Sequence, residues 1–143
     1  MFGIAARRRS LFVYHLHMGG PDAAALEWDA LLAPRFAQRL QQMGVVHVSN
    51  VSEADVVVVT GLLTARNLDT VLAELARMPS PSVLVSAGDA AINGGEWAKG
   101  HMPTLSRHAL GYYAEVGVSV PGEPPTPQAL IAALAAAAVI LGR

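Results

Sequence analysis

Two carboxylates, Asp89 and Glu123, each follow a glycine, in Ala87-Gly88-Asp89 and Pro121-Gly122-Glu123. Carboxylates paired at one edge can do acid–base work or hold a hard cation. Two such ligands are too few for a cation cage and no third is clearly placed, so solvated or salt-bridged loop carboxylates are expected. His15, His17, His47, His101 and His108 show no HxxxH or HExxH spacing. His15 and His17 fall on one face of a strand at period two, and hydrogen-bonded structural roles are expected for all five histidines. Ser86 and Ser106 lack a G-x-S-x-G context, so nothing supports a hydrolase triad. Gly19-Gly20 before a helix could cradle an anion on backbone N–H groups. Pro21 removes one donor, however, and neither GxGxxG nor GxxxxGK[ST] occurs, so a tight turn is expected. Glu27 stands among Leu26, Trp28 and Leu31. A buried glutamate there would need a partner or a proton; a surface glutamate on an amphipathic helix is the other reading.

The elements that must position these residues follow from hydrophobic pattern and punctuation. Residues 10–17 read as a first strand, closed by Met18-Gly19-Gly20-Pro21. Asp22 can cap a helix over 23–32, and Pro34 opens a second helical piece that stops at Gly44. Residues 45–49 form a short strand. The run Val56 to Val59, ending at Thr60-Gly61, has no polar face, which fits a central parallel strand covered on both sides. Thr64 can cap a helix running to Met78, where Pro79 and Pro81 stop it. Residues 82–86 and 116–120 are further strands, with an irregular connection over 91–115. Thr126-Pro127 starts the final helix.

Strands alternating with helices predict a mainly parallel sheet in a three-layer α/β sandwich. Ligands in such sheets sit beyond the carboxyl ends of the strands. The turns at Gly19-Gly20, Thr60-Gly61, Gly88-Asp89 and Gly122-Glu123 therefore share one edge.

Composition bounds the rest. The chain has 143 residues, 52% of them apolar and 15% charged, which implies surface covered by a partner. A net charge of -1 gives no electrostatic case for nucleic acid. With no cysteine, disulfides, thiolate nucleophiles and cysteine-ligated clusters are excluded. Residues 1–9 read as a basic tail with Arg7, Arg8 and Arg9, ahead of a single domain over 10–143. Arginines after a short apolar start do not read as a secretory signal. The apolar segment 129–142 falls short of the roughly 20 residues a membrane helix needs.

The blocks EADVVVVTGLLTARN, RMPSPSVLVSAGDAAINGGEW and VSVPGEPPTPQALIAAL resemble the complex I 20-kDa (B-type) subunits and the small subunits of energy-converting [NiFe] hydrogenases. RSLFVYHLHMGG and ALEWDALLAPRF extend the resemblance over nearly the whole chain from residue 9. It implies a flavodoxin-like fold that holds one [4Fe-4S] cluster by cysteines and passes electrons to a site shared with a larger subunit. The cysteine positions fall on Pro21, Ala24, Ala90 and Glu123, and none is cysteine. The scaffold turns Gly19, Gly61, Gly88, Asp89, Gly94, Gly95 and Gly122 remain. Glu27 matches a family glutamate linked to proton transfer.

The expectation is a subunit without a [4Fe-4S] cluster or other cofactor, which moves no electrons itself. It would dock on a hydrogenase-large-subunit-like partner and membrane-arm subunits, at the cytoplasmic inner face of the cell membrane, and would support coupling to ion transport. The alternative is a small-molecule-binding α/β domain that reuses the vacated cluster pocket.

Overall fold

In the computed structural model, residues 10–20, 23–95 and 110–143 are described. The elements run β1 (Leu11–His17), α1 (Ala23–Ala30), α2 (Pro34–Gln42), β2 (Val45–His47), a 3-10 turn (Val51–Glu53), β3 (Val56–Thr60) and α3 (Leu68–Leu75). They continue with β4 (Val83–Ala87), α4 (Asp89–Asn93), a second 3-10 turn (Leu110–Tyr112), β5 (Val118–Val120) and α5 (Pro127–Ile140). The five strands form one sheet in the order β2-β1-β3-β4-β5, and every neighbouring pair is parallel.

The valine run behaves as its composition demands. All five residues of β3 are buried, because both faces of this central strand are covered. On one face Val13, Val56, Val58 and Val85 meet Trp28 and Leu31 beside α1, Leu40 of α2 and Leu130, Ile131 and Leu134 of α5. On the other, Val57, Val59 and Leu84 meet Val71 and Leu75 of α3, Ala91 of α4 and Leu110. Helix, sheet, helix is the three-layer sandwich, and the 2-1-3-4-5 strand order makes it flavodoxin-like. In this order the chain reverses its direction of winding between β1 and β3, which is where such sheets open a crevice.

Local chemistry sets the ends of the elements. Thr126 caps α5, its Oγ1 accepting from Ala129 N at 3.1 Å, with Pro127 in the first turn. At the amino-terminal edge of the sheet Arg143 makes a forked contact with Asp55, at 2.8 and 3.3 Å. Asp55 also accepts from Phe12 N at 3.0 Å, so one carboxylate ties β1, the start of β3 and the segment after α5.

Several boundaries differ from expectation. The helix expected over 64–78 is shorter, because residues 64–67 form a turn in which Thr64 Oγ1 and Asn67 Oδ1 accept from each other's backbone N–H. Leu31 and Leu32 leave α1, and β2 and β5 shrink to three residues each. Residues 91–93, expected to be irregular, belong to α4, which Asp89 opens and Gly94 closes in a left-handed conformation. The tail 1–9, Pro21, Asp22, His101, Ser106 and His108 lie outside the described residues.

Candidate functional site

The carboxyl ends of β1 and β3 meet at the point where the winding reverses. Met18 N donates to Thr60 O at 2.8 Å, and Leu62 N donates to Gly19 O at 3.1 Å. Gly61 has φ +93, and a Cβ there would lie 2.8 Å from Gly19 N and O and 3.0 Å from His17 Cε1. Glycine is required for both reasons, the positive φ and the close approach of the two turns. Asn67 completes the closure, its Nδ2 donating to Met18 O at 2.8 Å and to Leu62 O at 2.9 Å. The reversal point is thus laced with hydrogen bonds. Asn67 was not singled out from sequence, because it fell inside the helix expected from Thr64 to Met78; the helix begins after it and its side chain reaches across instead.

The ends of β4 and β5 form the second half of the edge. Gly88 N donates to Val120 O at 2.8 Å, and Asp89 N donates to Gly122 O at 3.0 Å. Asp89 Oδ1 accepts in return from Gly122 N at 2.8 Å. The expectation of a solvated or salt-bridged carboxylate at Asp89 is corrected: it is a backbone acceptor that holds the Pro-Gly-Glu-Pro-Pro loop. Glu123 is exposed, and its Oε1 occupies the space a Cβ on Gly95 would need. That point lies 3.2 Å from Ala90 N and 3.3 Å from Asp89 Cβ. Residues 89, 90, 95 and 123 therefore converge, and two of the four positions assigned to cluster ligands are side by side.

The donor set does not fit a cubane. Ala24 and Ala90 are 1% and 3% exposed, so buried methyl groups stand at two of the positions. Proline at position 21 offers no side-chain donor, and Glu123 alone contributes one carboxylate. Among the described residues no group of three or more His, Asp or Glu side chains is placed to hold a metal ion. Glu27 is half-buried and makes no hydrogen bond or ion pair among the described residues.

The histidines are organised differently from any ligand set. His15 Nε2 and His17 Nδ1 lie 2.7 and 3.0 Å from the same atom, Thr60 Oγ1. The row continues to Trp28, 5.8 Å from His15 between ring centroids, and to His47, 5.9 Å beyond Trp28. His47 is exposed overall, yet partial loss of water where its ring packs against Trp28 holds the imidazole below the ordinary value. Ser86 Oγ, on the opposite face of the sheet, is buried without a hydrogen-bond partner among the described residues. A depression of about 510 Å³ lies at the amino-terminal edge, bordered by Phe12, Asp55, Pro81 and Arg143, far from the strand ends described above.

A five-stranded parallel sheet in this order, with glycine turns at its carboxyl edge, defines the class: a flavodoxin-like α/β domain. The family model for the NADH ubiquinone oxidoreductase 20-kDa subunit matches residues 21–137, and the chain belongs to that family. It is 31% identical over 125 residues to an uncharacterized protein of Methanocaldococcus jannaschii, covering 87% of this chain and 80% of that one. It is 28% identical to the Pyrococcus furiosus protein named probable membrane-bound hydrogenase subunit mbhJ, covering 86% of this chain and 71% of that one. The NAD(P)H-quinone oxidoreductase subunit K of Trichodesmium erythraeum is 30% identical over 80% of this chain, which spans 46% of that relative. Among solved structures, a chain of the membrane-bound sulfane sulfur reductase, an archaeal respiratory membrane complex, superposes with a TM-score of 0.77 at 21% identity, covering 98% of this chain and 75% of that one. A chain of an NAD+-reducing [NiFe]-hydrogenase superposes at 0.68 with 20% identity, covering 94% of this chain and 93% of that one. No helix among the described residues is long and apolar enough to cross a membrane.

Proposed function

We propose that this chain is a structural small subunit of a membrane-associated complex related to complex I and energy-converting hydrogenases. The observation that carries the proposal is the exchange of all four cluster positions in a chain whose supporting turns are kept. Gly61, Gly88-Asp89 and Gly122 still build the edge, while Ala24 and Ala90 place buried methyl groups where thiolates would be needed. The subunit then carries no [4Fe-4S] cluster and moves no electrons. It docks by its strand-end edge on a hydrogenase-large-subunit-like partner, with the basic tail toward the membrane arm, at the inner face of the cell membrane. Coupling to ion transport, with Glu27 on its path, belongs to the same reading. Large exposed apolar side chains, Leu26 and Leu32 near α1 and Val139 and Ile140 at the end of α5, support a covered subunit.

The test is purification of the chain from its native membrane, with iron and absorption measured on the product. The expected preparation is colourless, free of stoichiometric iron, and brings down a hydrogenase-large-subunit-like protein. A brown product with iron in cluster stoichiometry overturns the cluster-less assignment. A chain that purifies alone as a monomer and is stabilised by a metabolite replaces the docking role with a small-molecule-binding one.

A further inference from the structure

We propose that His15, Thr60 and His17 form a two-state proton-transfer site, in which one threonine hydroxyl passes a proton between two imidazoles. The site does not depend on the docking role proposed above. It rests on a geometry that a purely apolar strand would not need. Thr60 ends a run of valines and is fully buried. Valine would fill the same space, and a buried hydroxyl without partners costs free energy. Here the hydroxyl lies 2.7 Å from His15 Nε2 and 3.0 Å from His17 Nδ1.

A hydroxyl has one proton to donate and lone pairs with which to accept. It can therefore donate to only one of the two rings while accepting from the other. In the first state His17 Nδ1–H donates to Oγ1, and Oγ1–H donates to His15 Nε2. In the second, His15 Nε2–H donates to Oγ1, and Oγ1–H donates to His17 Nδ1. With both rings neutral, the first state protonates both at Nδ1 and the second protonates both at Nε2. The hydroxyl thus forces the two tautomers to agree.

Transfer follows from the switch between states. A proton binds at Nε2 of the exposed His17. The Nδ1 proton of His17 moves to Thr60 Oγ1, the hydroxyl proton moves to His15 Nε2, and the Nδ1 proton of the half-buried His15 passes to water. One proton enters, one leaves, and no net charge remains on the site. His17 stands at the carboxyl edge of the sheet and His15 is half-buried, so the transfer links that edge to the layer beneath α1. Gly61 leaves the space that the His17 ring needs, since a Cβ there would lie 3.0 Å from Cε1. The ionisable groups on the elements of this layer are Glu27 and Asp29 on α1, Arg35 and Arg39 on α2, and His47 on β2; α5 carries none.

The test is imidazole nitrogen NMR on the full 15N-labelled chain, wild type against Thr60→Val, Thr60→Ser and His15→Gln. Above the titration of both rings, His15 and His17 of the wild type should carry their proton on the same-named nitrogen, and T60S should keep that agreement. T60V should lose it. H15Q should shift the tautomer population of His17 with Thr60 present and leave it unmoved in the T60V background. Opposite tautomers on the two wild-type rings, or a His17 that ignores H15Q, overturns the proposal. If T60V does not fold, the wild type, T60S and H15Q decide alone, because none of the three removes the hydroxyl.

Discussion

At the scale of single residues, Asp89 shows how a candidate for chemistry becomes a fastener. Its position beside Glu123 suggested paired acids, yet its Oδ1 accepts from Gly122 N while its own N–H donates to Gly122 O. A carboxylate accepting a backbone N–H contributes about 1.5–3 kcal/mol. Asp89→Ala should therefore lower unfolding free energy in urea by about that amount. Asp89→Asn, which keeps an acceptor, should lose less. Equal losses for the two variants would mean that the hydrogen bond is not what holds the loop. Glu123 makes the opposite case: it stands where the family resemblance assigns a cluster ligand, is exposed, and its carboxylate fills the space that a Cβ on Gly95 would need.

At the scale of elements, the junction of β1 and β3 matters most. Parallel α/β sheets with this strand order open a crevice where the winding reverses. Here Met18, Thr60, Gly19 and Leu62 join across it through their backbones, and the Asn67 amide adds two further hydrogen bonds. Asn67→Ala would leave Met18 O and Leu62 O without these donors, at about 1–3 kcal/mol for a buried group left unmatched. Hydrogen exchange of the Met18 and Leu62 amides should accelerate in N67A by more than the global loss of stability accounts for. Protection lowered only in step with global stability would show that the backbone bonds suffice. The turn at residues 64–67 also explains the short α3. Asn67 uses its side chain on the neighbouring turn and on Thr64 N, so the regular helix begins only at Leu68.

At the scale of the whole molecule, stability should depend on pH through His47. Its ring packs edge-on against Trp28, and loss of water lowers its affinity for protons in the folded chain. The unfolded chain then binds the proton more readily, so stability rises with pH in that window. The contribution of His47 is complete above its ordinary value near 6.5 and declines as pH falls through the lower, folded value. Urea midpoints measured from neutral to mildly acid pH should fall more steeply for the wild type than for His47→Asn. Parallel curves would remove the effect. The same scale shows why composition pointed to an assembly. Leu26 is 71% and Val139 73% exposed, although the sheet is already covered on both faces.

Sequence by itself determined the sheet and its edge. A valine run with no polar face has to be central, and glycines after strands have to be turns, because burial and positive φ leave few other solutions. The lack of donors at the positions that the family resemblance assigns to cluster ligands was equally legible, since the side chains of Pro21, Ala24 and Ala90 carry no donor atom whatever surrounds them. Tertiary structure alone decided the partners: Asp89 with Gly122, Asn67 with Met18 and Leu62, and Thr60 with His15 and His17. Those pairs are 33, 49, 45 and 43 residues apart for Asp89–Gly122, Asn67–Met18, His15–Thr60 and His17–Thr60. Hydrogen bonds over such separations depend on strand register and winding, which no local pattern encodes.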